Sequence, residues 1–177
     1  MLKKPAVFLD RDGVLTEENS YVASVDELKI FPYSQECVEQ IHKKGYYAVV
    51  VTNQSGVARG LFTEKELQEM NRFLMEQTGV DAVYYCPHHP DGKIEQYRKL
   101  CHCRKPETGM FEAACERFGI EMKESYMVGD RAGDILAGQK AKLKTILVES
   151  GYGTKRLEES VRPDYIVQDL KQAIGLL

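Results

Sequence analysis

What this sequence lacks narrows its possibilities first. No apolar run approaches the roughly 20 residues that a membrane-spanning helix needs. There is no surplus of positive charge. A formal net charge of −3 and a pI near 5.9 argue against non-specific attraction to nucleic acid or to an anionic membrane. No repeat, low-complexity tract or long linker divides the 177 residues, which are most simply one domain, large enough for a real hydrophobic core. Met1-Leu2-Lys3-Lys4-Pro5 runs straight into an apolar strand and leaves no room for a signal peptide, so a cytoplasmic location is expected. Nor is the cysteine count even. Five cysteines cannot all pair within one chain, and a reducing compartment disfavours disulfides in any case. No interface segment stands out, and a monomer is expected.

What is present is an alternation of short β-rich runs with helical patterns. Ala6 to Leu9 reads as a first strand and Ser34 to Lys44 as a helix with Cys37, Val38 and Ile41 on one face. Tyr46 to Val51 is continuously apolar, as a strand covered on both sheet faces should be. Thr63 and Glu66 form a capping box for a helix that Gly79 closes. Val80 to Tyr85 gives a third strand, and an irregular stretch then runs through Arg104. A helix follows, with Met110, Phe111, Ala114, Cys115 and Phe118 as its core stripe. Strands at Tyr126 to Val128 and Thr145 to Val148 flank a short helix around Ile135 and Leu136; Tyr165 to Val167 precedes a last helix. This order predicts an α/β three-layer sandwich around a mainly parallel, Rossmann-like sheet. Cys37 and Cys115 are expected to be small core residues.

In such a sheet, ligands bind beyond the carboxyl ends of the strands. Strand one ends at Asp10-Arg11-Asp12-Gly13, strand two at Thr52-Asn53-Gln54-Ser55-Gly56, and the Tyr126 strand at Gly129-Asp130-Arg131. Arg104-Lys105-Pro106 precedes a helix. Parallel pairing brings these polar groups to one edge. Any one of them alone could be a turn, a cap or a solvated charge; together, at the termini of four elements, they match the parts of a phosphoryl-transfer site. Asp10 is the candidate nucleophile and a Mg2+ ligand with Asp130. Asp12 is the candidate proton carrier. Thr52, the amides of the Asn53 to Gly56 turn, and Lys105 would meet phosphate oxygens. Asp134 is either support for this cluster or helix surface.

These four segments, F-L-D-R-D-G-V-L, V-T-N-Q-S-G, C-R-K-P and G-D-R-x-x-D, resemble the motifs of the haloacid dehalogenase-like phosphatases over essentially the whole chain. The resemblance implies Asp10 as nucleophile, Asp12 as acid/base, and Thr52 and Lys105 as phosphoryl stabilisers. It also implies Mg2+ held by Asp10, Asp130 and the backbone carbonyl of Asp12.

Cys86-Pro87-His88 and Cys101-His102-Cys103 flank a polar stretch with almost nothing to pack. Three thiolates and one imidazole make a closed Cys3His zinc set of structural type. One-residue spacing puts ligands on one side of an extended chain, which favours His88 over His89 and turns His102 away. A zinc-binding loop at 86–103 is therefore expected to lead directly into Arg104-Lys105.

Only about twenty residues separate Gly13 from the Ser34 helix, too few for a sizeable cap domain. An open site is expected, rimmed by the Glu18 to Tyr21 loop, the zinc loop and Arg131. Arg104 and Arg131 exceed what one transferring phosphate requires. They are either bidentate anchors for another part of an anionic substrate or surface arginines paired with nearby acids. The zinc-loop pattern together with D-R-D-G, T-N-Q-S-G and C-R-K-P resembles the D-glycero-D-manno-heptose 1,7-bisphosphate 7-phosphatases. That resemblance implies substrate contacts at Glu18, Asn19, Ser20, Tyr21, Thr52, Asn53, Gln54, Ser55, Arg104, Lys105 and Arg131, with loss of the C7 phosphate of a small sugar phosphate. Arg11, between the two aspartates, is a further candidate substrate contact. Histidinol-phosphate phosphatases share the motifs and are the nearest rival. A polynucleotide 3′-phosphatase is opposed by the acidic pI, and a non-enzymatic phospho-acceptor by the ready proton carrier Asp12.

Overall fold

The computed structural model describes residues 3–177; Met1 and Leu2 lie outside the described residues. Six strands form one sheet in the order β3-β2-β1-β4-β5-β6, with each neighbouring pair parallel. They are β1 (Ala6–Leu9), β2 (Tyr47–Asn53), β3 (Ala82–Cys86), β4 (Tyr126–Gly129), β5 (Lys144–Val148) and β6 (Tyr165–Val167). The order reverses direction at β1, and β1 lies between β2 and β4. The gap beside β1 is where a parallel α/β sheet opens a ligand crevice.

The helices are α1 (Ser34–Lys43), α2 (Glu64–Thr78), α3 (Gly109–Phe118), α4 (Ala132–Lys140) and α5 (Leu170–Ile174). Alternate residues along β1 divide between two cores. Val7 and Leu9 pack with Val38, Ile41, Leu67 and Leu74 of α1 and α2, whereas Ala6 and Phe8 pack with Met110, Phe111 and Ala114 of α3. Helices therefore cover both faces, which explains why β1 and the centre of β2 carry no polar alternation. The expected three layers and parallel sheet are present.

Local signals operate as the sequence suggests. Thr63 accepts from the Glu66 amide while Glu66 returns a bond to Thr63, and Gly79 ends α2 at φ 77°. Boundaries differ by one or two residues: β2 runs on through Asn53 and β3 through Cys86. Ladder pairing extends them, setting Thr52 opposite Tyr85 and Asn53 opposite Cys86. Cys37 is buried; Cys115 is half-buried, its thiol 3.6 Å from the Ile120 carbonyl. No described helix is long and apolar enough to cross a membrane.

Candidate active site and metal centres

The carboxyl ends of β1, β2 and β4 converge as their register requires. A cavity of about 350 Å³ lies over them, lined by Asp10, Asp12, Ser20, Tyr21, Thr52, Asn53, Gln54, Ser55, Gly56, Arg104, Lys105, Arg131, Gly133, Asp134 and Tyr152. At its floor the buried Lys105 ammonium lies 3.2 Å from Asp10 Oδ1 and 2.6 Å from Asp134 Oδ1, and it donates to the Val51 carbonyl at 2.6 Å. Asn53 fixes that lysine through its backbone. The Asn53 amide donates to the Lys105 carbonyl and its oxygen accepts the Lys105 N–H, both at 3.0 Å.

One lysine pairs with two of the three buried carboxylates, Asp10 and Asp134. Burial opposes its charge, but Asp10 and Asp134 together hold its pKa above the ordinary lysine value. The balance for the acids is reversed. Burial first, then the charge of Asp134, pushes Asp10 up to about 7, although Lys105 pulls it down. Burial and Asp10 push Asp130 up to about 8. The two partners' shifts differ in what they imply: Lys105 is satisfied, whereas the acids remain short of positive charge. Coulomb repulsion among three anions in a low-dielectric site makes this the expected result.

The donor set fits a divalent cation. Oxygens of Asp10, Asp130 and Asp134 lie within 4.8 Å of one another. Asp130 is fully buried; its Oδ2 accepts the Tyr152 N–H at 2.8 Å, whereas Oδ1 has no hydrogen-bond partner among the described residues. A buried carboxylate oxygen left without a donor is costly, and a hard cation satisfies it. Gly13 makes room for this carboxylate. At φ +82°, a Cβ there would lie 2.5 Å from Asp130 Oδ2. Asp134 is spoken for elsewhere, with Oδ1 on Lys105 and Oδ2 accepting the Asp130 and Arg131 amides at 3.1 and 3.0 Å. That settles the alternative left open from sequence in favour of support.

Asp12 stands beside Asp10 with its carboxylate held by Arg11, Thr16 and Gln54. Thr52 is buried at the end of β2, where its hydroxyl accepts from Gln54 Nε2 at 2.9 Å. Ser55 lines the cavity, and so do Ser20, in the left-handed region at φ 58°, and Tyr21. Arg104 lines it from the zinc-loop side, 3.4 Å from the His88 carbonyl.

Three expected substrate contacts are placed otherwise. Arg11 is 1% exposed and absent from the cavity wall, because its guanidinium turns inward onto Asp12. Asn19 is exposed in the neighbouring groove beside Ser150 and Arg156 rather than in the cavity. Glu18 is also absent from the cavity lining, accepting from Arg131 at 2.7 Å and from the Ser20 amide at 2.8 Å, two residues that do line it. Arg131 lines the cavity, pairs with Glu18 at 2.7 Å, and stacks 4.2 Å from the Tyr152 ring centroid. Tyr152 itself was not anticipated. It belongs to the Gly-Tyr-Gly turn following β5, a further strand end to which the same edge rule applies.

Cys86, His88, Cys101 and Cys103 form the second cluster, again with ligand atoms within 4.8 Å of one another. His88 Nδ1 lies 3.7 Å from Cys86 Sγ and 3.6 Å from Cys103 Sγ. Zinc–sulfur and zinc–nitrogen bond lengths give a tetrahedral N···S edge of about 3.6 Å. Cys101 and Cys103 are closer, at 2.9 Å. His89 instead pairs with Arg59, and His102 with Glu112 at 2.8 Å, pointing away as its spacing implied. The sheet ties the clusters together: Cys86 sits opposite Asn53, and its carbonyl accepts the Gln54 N–H at 2.8 Å.

Fold and edge together define a hydrolase of the haloacid dehalogenase-like class. A sequence model described as HAD-hydrolase-like matches residues 102–173. The D-glycero-beta-D-manno-heptose-1,7-bisphosphate 7-phosphatase of Haemophilus ducreyi is 44% identical over 155 residues, which is 84% of this chain and 85% of that one. The Escherichia coli K12 protein of the same name is 38% identical over 179 residues, covering 96% and 93%. The crystal structure of D,D-heptose 1,7-bisphosphate phosphatase from B. bronchiseptica, complexed with magnesium and phosphate, superposes with a TM-score of 0.80. It is 33% identical and covers 97% of both chains. The chain belongs to the D-glycero-beta-D-manno-heptose-1,7-bisphosphate 7-phosphatase family.

Proposed function

We propose that this chain is a Mg2+-dependent phosphatase that removes the C7 phosphate from D-glycero-β-D-manno-heptose 1,7-bisphosphate and leaves the anomeric phosphate in place. The observation that carries the reading is the floor of the cavity. There, a buried lysine bridges Asp10 and Asp134 beside an Asp130 oxygen that has no hydrogen-bond partner among the described residues. The substrate follows from the names of the relatives reported above.

Asp10 attacks phosphorus in line with the C7–O bond and forms an aspartyl-phosphate. The departing C7 alkoxide takes the proton carried by Asp12. Asp12 then removes a proton from water, which attacks the same phosphorus, breaks the acyl–phosphate bond and regenerates the Asp10 carboxylate with inorganic phosphate. Lys105 offsets the repulsion between the Asp10 carboxylate and the incoming phosphate, and the Thr52 hydroxyl meets an equatorial oxygen. Asp10, Asp130 and the Asp12 carbonyl would hold Mg2+, which supplies charge neutralisation across nucleophile and phosphoryl oxygens. Arg104 and Arg131, on the cavity wall, suit the second phosphate.

Zinc at Cys86, His88, Cys101 and Cys103 would order the 86–103 loop and so fix Arg104 and Lys105. Residues 1–177 act as one domain, supported by the cores that the sheet shares between its two faces. A cytoplasmic monomer is supported by free thiols at the zinc cluster and by a site complete within one chain. The acidic pI supports a small-molecule substrate rather than nucleic acid.

Phosphate release from heptose 1,7-bisphosphate and from histidinol phosphate, with and without Mg2+, tests this. A kcat/KM higher by at least about 100-fold on the heptose, and lost without Mg2+, is expected. Preference for histidinol phosphate would overturn the substrate assignment.

A further inference from the structure

Arg11 is the largest fully buried side chain in the molecule, and it sits between the two catalytic aspartates of the sequence without lining the cavity. Its Nε lies 3.1 and 3.2 Å from the two Asp12 oxygens, and its Nη2 lies 3.1 Å from Oδ2. The remaining Nη1 has no partner among the described residues. Burying a guanidinium with one nitrogen unsatisfied is expensive, so the contact that it does make has to justify the placement.

Two more donors complete the arrangement. Thr16 Oγ1 approaches Asp12 Oδ1 at 3.2 Å, and Gln54 Nε2 approaches Oδ2 at 2.9 Å. The same Gln54 nitrogen reaches the Thr52 hydroxyl at 2.9 Å, which links the proton carrier to the phosphoryl-binding threonine. The turn holds Arg11 in place from behind, with its carbonyl accepting the Leu15 and Thr16 amides at 3.0 Å each. Asp12 is itself 17% exposed and caps a strand end, where an unbraced carboxylate would rotate freely. A planar fork fixes a carboxylate's plane as a lysine's point charge cannot.

We propose that Arg11 is a positioning residue that clamps the Asp12 carboxylate in the plane needed to hand its proton to the leaving oxygen. This role rests on the phosphatase reading above. The Arg11 backbone N–H donates to Asp10 Oδ1 at 2.8 Å, but its side chain does not line the cavity and its polar contacts are all to Asp12, through which it acts. Loss of such alignment costs rate in the step that moves the proton and leaves substrate binding alone.

The test compares two leaving groups in a double-mutant cycle. With heptose 1,7-bisphosphate, Arg11→Met lowers kcat by about 10- to 100-fold with KM nearly unchanged, a part of the roughly 10²- to 10⁴-fold that general acid–base catalysis supplies. With p-nitrophenyl phosphate the leaving phenolate needs no proton. Single-turnover release of nitrophenolate, with enzyme in excess, then stays within about threefold of the unmutated rate. In an Asp12→Asn background, Arg11→Met costs nothing further, because no acid is left to align. Arg11→Lys retains the buried charge without the fork and falls between; it carries the same comparison where the methionine variant does not fold. Equal losses on both leaving groups, or losses that multiply in the double variant, would show an ordinary structural ion pair and overturn the proposal. Failure of the unmutated chain to hydrolyse heptose bisphosphate would instead reject the substrate reading. The comparison on Arg11 then stands on any alkyl phosphate that the chain does hydrolyse.

Discussion

The crowded carboxylates at the cavity floor predict that the Mg2+-free protein loses stability as pH rises. Asp10 is pushed up to about 7 and Asp130 to about 8, chiefly by burial. An unfolded chain releases both protons near 3.9. Between about pH 4 and pH 8 the folded state therefore binds more protons than the unfolded one, and the unfolding free energy falls with rising pH. At 1.36 kcal/mol per pKa unit, either site alone gives a loss of about 3 kcal/mol between pH 5 and pH 8. Because the two interact, that is the figure for the pair rather than for each. For a chain of this size it amounts to a fall of roughly 10 °C in Tm. His88 and His89, whose values burial pushes down, work in the opposite direction and are common to every variant. Thermal unfolding in Mg2+-free buffer at pH 5 and pH 8 reads the slope, and replacing both Asp10 and Asp130 by Asn should remove most of it. Mg2+ at about a hundred times its Kd should return about 2.7 kcal/mol at pH 8 and much less at pH 5, where protons compete. A Tm that rises with pH in the metal-free protein, or equal Mg2+ stabilisation at the two pH values, would refute the reasoning.

Lys105→Met should abolish turnover and also cost about 3–5 kcal/mol at pH 8, since it strips the buried acids of their cation; chemical denaturation at pH 8 and pH 5 should show the larger loss at pH 8. Gly13→Ala should weaken Mg2+ activation by about tenfold or more, because its Cβ would meet the Asp130 carboxylate; a Mg2+ titration of kcat measures it, and an unchanged midpoint would count against the metal assignment. Cys101→Ser should lower the zinc content from about one per chain and reduce both Tm and kcat, measured by metal analysis and kinetics. Arg131→Ala should raise KM for the bisphosphate about tenfold with little change in KM for p-nitrophenyl phosphate; equal effects would remove Arg131 from recognition of the second phosphate.

The strand ends were the legible part of this molecule. Apolar runs closed by Asp10, Thr52 and Asp130 announce parallel strands that deliver polar groups to one edge, and period and capping are local properties that the chain cannot hide. Cys86 with Cys101 and Cys103 was legible for a different reason, since cysteines and a histidine flanking a polar stretch with little to pack point to a metal-compatible set, and the four do converge. Side-chain direction was not legible. Nothing in D-R-D-G says that Arg11 turns under the strand instead of toward a substrate; that depends on Thr16 and Gln54 completing a pocket for Asp12. Glu18 likewise meets Arg131 across 113 positions of sequence, a pairing set by how the first loop meets the N-terminal end of α4. Tyr152 was missed because a Gly-Tyr-Gly turn carries no charge to draw attention, although its amide holds Asp130.

The central claim is that Asp10 carries the phosphoryl group during turnover. Rapid acid quench of the chain with bisphosphate radiolabelled in the phosphorus of its C7 phosphate, followed by proteolysis and peptide mapping, reads this directly. The account predicts label on the Asp10 peptide that appears and decays at rates competent for kcat, and no label in Asp10→Asn. Turnover with no label on that peptide, or label that persists in Asp10→Asn, would contradict it.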